Sequence, residues 1–351
     1  MADLRFGTSA VLLALNLSSF AAAQSSREPP PLDDAALIKR ITVAVDRGLT
    51  HLSKVQYSDG AWPSGYGGAG RNNGINGVAT LAFLGRGHHP DRGQYKETLA
   101  KARRFLLASQ RADGMLVSPN QSHGPMYEHA LATLALVETY GMTSDPKLEP
   151  GVRKAVDLIL RSQSREGGWR YQPQPNDSDI SVTVMAVVAL RAAQNSGLPV
   201  PQSTLDNAIG YVNRCSTPDG GFGYQPGSQR GIARTAAGIL SVQLAGKPDA
   251  PSIGPALKYL NNEPVTWGGE YFFYTHYYAI QAQFQAGGDS WNRWHPRVRE
   301  LLLKHQLADG SWPVPPGGNE HQTSNRDNVY PTAMACLILE VYLHLLPAYQ
   351  R

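Results

Sequence analysis

The stretch Gln163-Ser164-Arg165-Glu166-Gly167-Gly168-Trp169, followed by Asn176-Asp177-Ser178-Asp179 and an apolar segment over 180–193, decides the fold. A helix that ends in a glycine turn, an aromatic residue over the turn and acids that open a second helix are typical of a helical hairpin. The same pattern recurs along the chain, with turn glycines at Gly60, Gly114, Gly167, Gly220, Gly268 and Gly310. Their spacing, from 42 residues (268 to 310) to 54 (60 to 114), fits one hairpin per unit and predicts six units.

Each unit pairs a helix that has one polar face with a helix that is apolar nearly all round. In the second unit, the segment 92–110 carries its lysines and arginines on one side, whereas 127–140 has almost no polar face. A helix that is apolar on all sides must be surrounded by protein. The last such helix, over 332–346, needs a neighbour, and the first unit is the obvious one. The sequence therefore predicts an all-α fold, an (α/α)6 toroid with an outer and an inner ring of helices.

The N-terminal segment is typical of a secretory signal peptide. A mostly apolar run over 6–20 is followed by Ala21-Ala22-Ala23, which predicts a signal peptide over 1–23 that is cleaved after Ala23. A flexible leader is expected over 24–32 and a single toroid domain over 33–351. No later segment approaches the roughly 20 apolar residues that a membrane span requires. We expect export to the periplasm or the extracellular space.

Charge and cysteine content narrow the function classes. The net charge is +4 at a pI near 9.0, but lysines and arginines are scattered along the chain, which argues against nucleic-acid binding. Cys215 and Cys336 belong to the fourth and sixth units, which do not touch in a ring. Two free, buried thiols are predicted, and no cofactor is expected.

The Gln-x-x-Asp-Gly-x-Trp turns resemble the repeats of the squalene-hopene cyclase and protein prenyltransferase superfamily. The resemblance implies a toroid with a funnel-shaped cavity, in which residues at the N-terminal ends of the inner helices bind or react. Class II terpene cyclases protonate an alkene with the middle acid of an Asp-x-Asp-Asp motif. Asp177 and Asp179 match this motif and Ile180 replaces its last acid, so the resemblance implies Asp179 as the general acid. The alternative is that Asp177 and Asp179 cap the third inner helix.

Other activities of toroid proteins need residues that this chain has only in part. The segment 326–332 resembles the one that carries the zinc-binding histidine of prenyltransferase β subunits, but Pro331 stands at the ligand position and neither cysteine matches. No zinc site is predicted. The Gly-Cys-Gly-Glu-Gln stretch of thioester domains is absent. A polysaccharide lyase, using Asp177 and Asp179 with Arg230 or Arg234, stays open without a specific motif.

Residues at the starts of the inner helices are expected to meet at one mouth of the ring. The candidate catalytic residues are Asp179, Asp177 and His129, and the candidate ligand-binding residues are His123, Tyr127, Arg230, Arg234, Tyr274, His276, Tyr277, Asp327 and Tyr330. His129 and Asp179 lie on neighbouring inner helices, where they could pair or hold a metal. A histidine on a buried helix is more often a packing residue, so no metal is predicted. The aromatic run over 271–278 either lines a pocket or fills the wall between helices.

Two functions follow from this sequence. The preferred one is a binding or interaction module whose central cavity takes an isoprenoid or a glycan. The alternative is an acid-initiated enzyme similar to class II terpene cyclases, an isomerase or lyase that acts on an isoprenoid lipid through Asp179, with Asp177 and His129 as partners. A deep, aromatic-walled pocket ending at Asp179 would favour the cyclase. A shallow or filled centre would favour the module.

Overall fold

The computed structural model describes residues 35–65, 70–119, 124–269, 271–317, 320 and 327–343. The predicted signal peptide and leader lie outside these residues. Twelve α-helices and a short 3-10 helix occupy the described part of the chain. They are α1 (Ala35–Val55), α2 (Asn73–Gly85), α3 (Lys96–Ala108), α4 (Pro125–Thr143), α5 (Glu149–Arg161), α6 (Ile180–Asn195), α7 (Gln202–Arg214), α8 (Ile232–Leu244), α9 (Ile253–Asn262), α10 (Phe272–Ala286), α11 (Gly288–His305), α12 (Val329–Leu339) and the 3-10 helix Glu340–Leu343.

Helices with odd numbers form the outer ring and helices with even numbers form the inner ring. The buried positions of α5 follow one face of the helix, whereas α6 is buried over almost its whole length. The same contrast is found in the other units. Its cause is the one predicted from the sequence: an inner helix is packed against protein on every side. No described helix is both long and apolar enough to cross a bilayer.

In four of the units, the glutamine of the turn connects one unit to the next. Gln163 Nε2 donates to the carbonyl of Gly167 at 2.7 Å and to that of Thr204, in the next outer helix, at 2.8 Å. Gln56, Gln110 and Gln306 make the same pair of bonds. Gly167 has φ +96°, and an added Cβ would lie 2.3 Å from the carbonyl oxygen of Asn207. The turn therefore requires glycine both for its backbone conformation and for its close approach to the next helix.

The residue that covers each turn is held by backbone and side-chain bonds. Trp169 donates from Nε1 to the carbonyl of Ile159 and from its backbone N–H to Thr183 Oγ1 on α6, at 2.7 and 3.0 Å. In the other regular units, inner-helix side chains accept the corresponding backbone N–H; the acceptors are Asn76, His129, Thr235 and Thr332. One buried acceptor per unit thus fixes the turn against its inner helix.

The ring closes between the last unit and the first. Helix α12 packs against α1 and α2. Gln306 Nε2 donates to the carbonyl of Ala44 at 2.8 Å, and Arg40 pairs with Glu300 at 3.1 Å. The predicted all-α toroid is confirmed.

The sequence predicts helices that start at Gly77 and at Pro296, and both start earlier in the structure. Helix α11 begins at Gly288, because the buried Trp291 and Trp294 anchor the turns before Pro296 and Pro296 removes only one backbone donor. Helix α2 begins at Asn73, since the side chain of Asn72 accepts from the backbone N–H of Ile75 and caps it. Cys215 and Cys336 are both free and buried, which confirms that prediction.

Candidate functional site

Five tyrosines gather at the end of the ring where the inner helices begin. They are Tyr127, Tyr171, Tyr224, Tyr274 and Tyr330, called the tyrosine cluster below, and all five side chains are partly exposed. Tyr127 stacks on Tyr171 with ring centres 5.7 Å apart. Burial and then the nearby Asp179, Tyr274, Tyr224 and Tyr171 raise the pKa of Tyr127. The structure therefore brings together three tyrosines that the sequence had singled out, Tyr127, Tyr274 and Tyr330, and adds Tyr171 and Tyr224.

Tyr171 and Tyr224 come from the loops that follow the third and fourth turns. Their hydroxyl groups share a short hydrogen bond. Each stands two residues after the residue that covers its turn, Trp169 and Phe222, so they occupy the same place in the repeat. That matched position was a signal in the sequence, but it indicated a function only once the two loops were known to meet.

The opening lined by the tyrosine cluster is shallow. Leu131, the seventh residue of α4, is partly exposed, and after the first two turns of the inner helices every residue is buried until their last one or two turns. Met185 and Met334 lie near the middle of α6 and α12 and are buried, which also indicates that the opening is shallow. The centre of the ring is therefore filled with side chains.

Asp179 caps α6 beneath the tyrosine cluster. Its Oδ1 accepts from the backbone N–H of Val182 at 2.9 Å, and Arg170 Nε approaches its Oδ2 at 3.7 Å. The residue is fully buried, and Oδ2 has no hydrogen-bond partner. Burial raises the pKa of Asp179 to about 6, against the opposing effects of the Val182 amide and Arg170. The carboxyl group of Asp179 therefore takes up a proton at a higher pH than an exposed aspartate does.

Two other buried carboxylates cap inner helices from outside those helices. Glu128 Oε2 accepts from the backbone N–H of Asn73 at 3.2 Å and from that of Ser118 at 2.9 Å. Glu320 Oε1 accepts from the backbone N–H of Tyr274 at 2.9 Å, and burial raises the pKa of Glu320 to about 7. Acids at helix N-termini offset the positive ends of the helix dipoles. These roles were not predicted, because the partners are far apart in sequence.

Two arginines stand beside the opening. Arg170 pairs with the exposed Asp177, and its guanidinium lies over the rings of Tyr171 and Tyr224 at 5.0 and 5.9 Å. Arg234 is partly exposed in the first turn of α8, where it donates to the carbonyl of Gln229 at 3.1 Å. Arg234 was singled out from sequence, whereas Arg170 was missed because it follows a turn and does not start a helix.

His129 does not meet Asp179. Its Nδ1 accepts from the backbone N–H of Leu116, and its Nε2 donates to the carbonyl of Ala155 on α5, both at 3.1 Å. Burial lowers the pKa of His129 to about 4. His129 occupies the acceptor position that threonine fills in three other units, so it fixes the second turn and is not available to act on a ligand.

Other candidates lie away from the opening. Arg230 donates to the carbonyl of Gly220, pairs with Asp219 at 3.2 Å and lies over the ring of Tyr259, so it braces the fourth turn. Asp327 offers its backbone carbonyl to His51 Nε2 at 2.7 Å.

Of the last three candidates, two are buried and one is not described by the structure. Tyr277 is buried below the cluster, edge-on to Tyr278. His276 is buried and faces Trp294 on α11. His123 lies outside the described residues. Across the described ranges, no group of three or more His, Cys, Asp or Glu side chains is placed to hold a metal ion.

A family model for the prenyltransferase alpha-alpha toroid domain matches residues 75–270, more than half of the chain. The chain belongs to this family. Among curated proteins it is similar to drimenyl diphosphate synthase from Streptomyces showdoensis, with 26% identity over 190 residues. That alignment takes in 53% of this chain and 33% of the enzyme, so the chain spans about a third of that relative's length. The resemblance to terpenoid cyclase-like toroids is confirmed.

Solved structures share the fold at low sequence identity. The apo type II terpene cyclase MstE from Scytonema superposes with a TM-score of 0.60 and 15% identity, covering 88% of this chain and 100% of that one. A variant of MstE in complex with geranylgeranyl dihydroxybenzoate gives 0.61 and 13%, covering 89% and 100%. An inactive variant of an alpha-1,6-mannanase from Salegentibacter sp., in complex with alpha-1,6-mannotriose, gives 0.63 and 12%, covering 87% and 99%. At these identities the likeness shows the fold alone.

Proposed function

We propose that this toroid is an exported binding module that holds the end of a glycan at the tyrosine cluster. The observation that carries the proposal is a shallow opening, walled by tyrosine rings and hydroxyls, above a filled centre. A tyrosine offers a sugar both a flat apolar face and a hydroxyl group. Pockets that combine aromatic walls with a few polar groups are typical ligand sites.

The chemistry of the lining favours a glycan over an isoprenoid. Unlike a sugar, a hydrocarbon chain offers no hydrogen-bond partner to the phenol hydroxyls and guanidinium groups of the lining. It would also need an apolar sleeve, whereas the inner helices are packed together below Leu131. The guanidinium groups of Arg170 and Arg234 add donors that suit sugar oxygens. The mannanase solved with alpha-1,6-mannotriose shows that a toroid of this fold can hold an oligosaccharide.

Calorimetric titration of the mature protein tests the proposal. The probes are alpha-1,6-mannotriose, glucose and galactose trisaccharides, and geranylgeraniol in detergent. We expect saturable binding of a trisaccharide, weakened at least about tenfold in Tyr127→Ala and Tyr224→Ala. Tyr259→Ala is the matched control, because its ring lies under Arg230 on the outer ring. No trisaccharide binding at millimolar concentrations, or equal binding by Tyr127→Ala, contradicts the proposal.

Export is proposed because the sequence predicts a signal peptide over 1–23. N-terminal sequencing of the protein recovered outside the cytoplasm should begin at Gln24. A product that stays in the cytoplasm and retains Met1 would contradict this part of the proposal.

A second function, acid-initiated cyclisation of an isoprenoid, is favoured by Asp179. The raised pKa of Asp179, and its Oδ2 that accepts no hydrogen bond, suit a proton donor. In that reaction Oδ2 would give its proton to an alkene carbon, and the resulting carbocation would close a ring and lose a proton. The enclosed position of Oδ2 and the filled centre rank this function second. Isomerised geranylgeraniol formed by the wild type and absent with Asp179→Asn would promote it to first.

A further inference from the structure

The fifth unit departs from the other five at its turn. Its sequence is Trp267-Gly268-Gly269, so the aromatic residue precedes the glycines instead of following them. Trp267 stacks face to face on His305, with ring centres 4.2 Å apart, and so does not occupy the position that the covering residues take in other units. His276 is the fifth residue of α10, as His129 is of α4. Unlike His129, it has no hydrogen-bond partner at Nδ1, although the side chain is buried.

Two further unsatisfied polar atoms lie next to His276. Trp294 on α11 is fully buried, and its Nε1 has no hydrogen-bond partner. Arg297, one turn later, has a buried Nη2 that is also without a partner. The rings of His276 and Trp294 are 5.6 Å apart, and Arg297 Cζ lies 5.2 Å from the centre of the Trp294 ring. These three residues are called the α10–α11 cluster.

The α10–α11 cluster contains the positive charge of Arg297, a partly exposed side chain whose Nη2 is buried. Arg297 donates to the carbonyls of Arg293 and Glu263, at 2.9 and 3.3 Å, and no carboxylate in the described part of the chain pairs with it. Burial lowers the pKa of Arg297. Burial and then the charge of Arg297 lower the pKa of His276 to about 3. A buried donor such as Arg297 Nη2 is normally hydrogen-bonded, because leaving it without a partner costs free energy.

The donors and acceptors of the α10–α11 cluster determine which kind of ligand would satisfy its hydrogen bonds. An indole N–H and a guanidinium are donors only, and a neutral histidine can present Nδ1–H as a third donor. Three donors next to one positive charge are best satisfied by a hydrogen-bond acceptor that carries a negative charge. Arginine with a planar array of donors is suited to carboxylate, sulfate and phosphate oxygens.

We propose that the α10–α11 cluster is a binding site for a small oxyanion. Trp294 Nε1 and Arg297 Nη2 donate to its oxygens, and His276 donates from Nδ1. The site lies between the inner and outer rings, away from the tyrosine cluster, so it does not depend on the proposed glycan function.

Thermal unfolding in the presence of anions tests the site in solution. The midpoint is measured against sulfate, phosphate and acetate, with chloride at matched ionic strength as reference. A ligand that binds only the native state raises the midpoint saturably. We expect this for at least one oxyanion, with an affinity lower by at least about tenfold in Trp294→Phe and Arg297→Gln. Arg293→Gln is the matched control, since Arg293 is exposed on the same helix, and should respond like the wild type.

Crystals soaked in selenate give a direct readout that needs no variant. An anomalous peak within hydrogen-bonding distance of Trp294 Nε1 and Arg297 Nη2 supports the site. Water alone at these atoms in the soaked crystals overturns it. Equal responses of the wild type, Arg297→Gln and Trp294→Phe to every oxyanion overturn it as well.

Discussion

At the scale of single residues, different side chains make the same hydrogen bond at one buried position of the repeat. Asn76, Thr183 and His129 all accept the backbone N–H of the residue that covers the turn. A histidine that looks catalytic in sequence therefore has a structural role once the repeat is aligned in space. Asp179 also has a structural role, as a helix cap, but its Oδ2 accepts no hydrogen bond.

Asp179 should make the protein less stable as the pH rises. Its pKa is raised from 3.8 to about 6 in the folded state. Its favourable contribution is therefore complete below pH 3.8 and is lost as the pH rises through 6. Asp179→Asn keeps the cap, because asparagine is an equally good N-cap. At pH 8 the variant should be more stable than the wild type, by up to about 3 kcal/mol, and at pH 4 the difference should shrink.

Urea denaturation at the two pH values measures this difference. Asp177→Asn is the control, because Asp177 is exposed, and it should show little change at either pH. A variant Asp179→Asn that is less stable than the wild type at pH 8 would show that the ionised carboxylate is stabilised by Arg170 more than burial destabilises it.

At the scale of structural elements, each regular turn is a joint between two outer helices. In four turns a glutamine binds the next outer helix, and the turn glycine lets that helix approach closely. The fourth and fifth turns have no glutamine, and the fifth also places its tryptophan before the glycines. The α10–α11 cluster of unsatisfied donors, and so the proposed oxyanion site, lies in the unit whose turn departs furthest from the pattern.

Alanine substitutions at two glycines with positive φ should separate the cost of a steric clash from the cost of backbone strain. Gly167→Ala brings a Cβ to 2.3 Å from the carbonyl oxygen of Asn207, whereas Gly197→Ala meets nothing within 4 Å at a similar φ of +80°. Gly197→Ala should cost about 1–2 kcal/mol from backbone strain alone. Gly167→Ala should cost about 3 kcal/mol or more, because the helices must also move apart. Equal losses in chemical denaturation would show that the close approach contributes nothing.

At the scale of the whole molecule, closure makes the first and last units depend on each other. An added Cβ at Gly48 on α1 would lie 2.7 Å from Cys336 Sγ and 2.9 Å from the ring of Trp312. The seam between the two ends of the chain is therefore as tightly packed as the joints inside the ring.

Gly48→Ala should destabilise the entire ring in one transition, by about 1–3 kcal/mol. Gly210→Ala is the matched control, since it is also a helical glycine and its Cβ would meet only Arg214 Nη1 at 3.8 Å. That variant should gain up to about 1 kcal/mol from helix propensity. Circular dichroism and tryptophan fluorescence should give coincident unfolding curves for Gly48→Ala. An early separate transition would indicate that the terminal units unfold on their own.

Most of the fold could be predicted from the sequence, and the candidate site only in part. The turn glycines and the alternation of one-sided and all-sided apolar helices are local patterns, so they specify six hairpins and their closure. Tyr127, Tyr274 and Tyr330 could be chosen because they stand at helix starts. Tyr171 and Arg170 could not, because they lie in a loop whose path depends on contacts with other units.

By itself, the sequence determined which segments become inner and outer helices, because burial on one side or on all sides is recorded in the spacing of apolar residues. Only the tertiary structure decided the roles of the polar residues. Whether a histidine, an aspartate or an arginine faces a ligand, a turn or a neighbouring helix depends on side-chain direction and on partners remote in the chain. For that reason His129 has a structural role, and Asp179 keeps an oxygen that accepts no hydrogen bond. His276, Trp294 and Arg297 form a cluster that no local sequence pattern predicts.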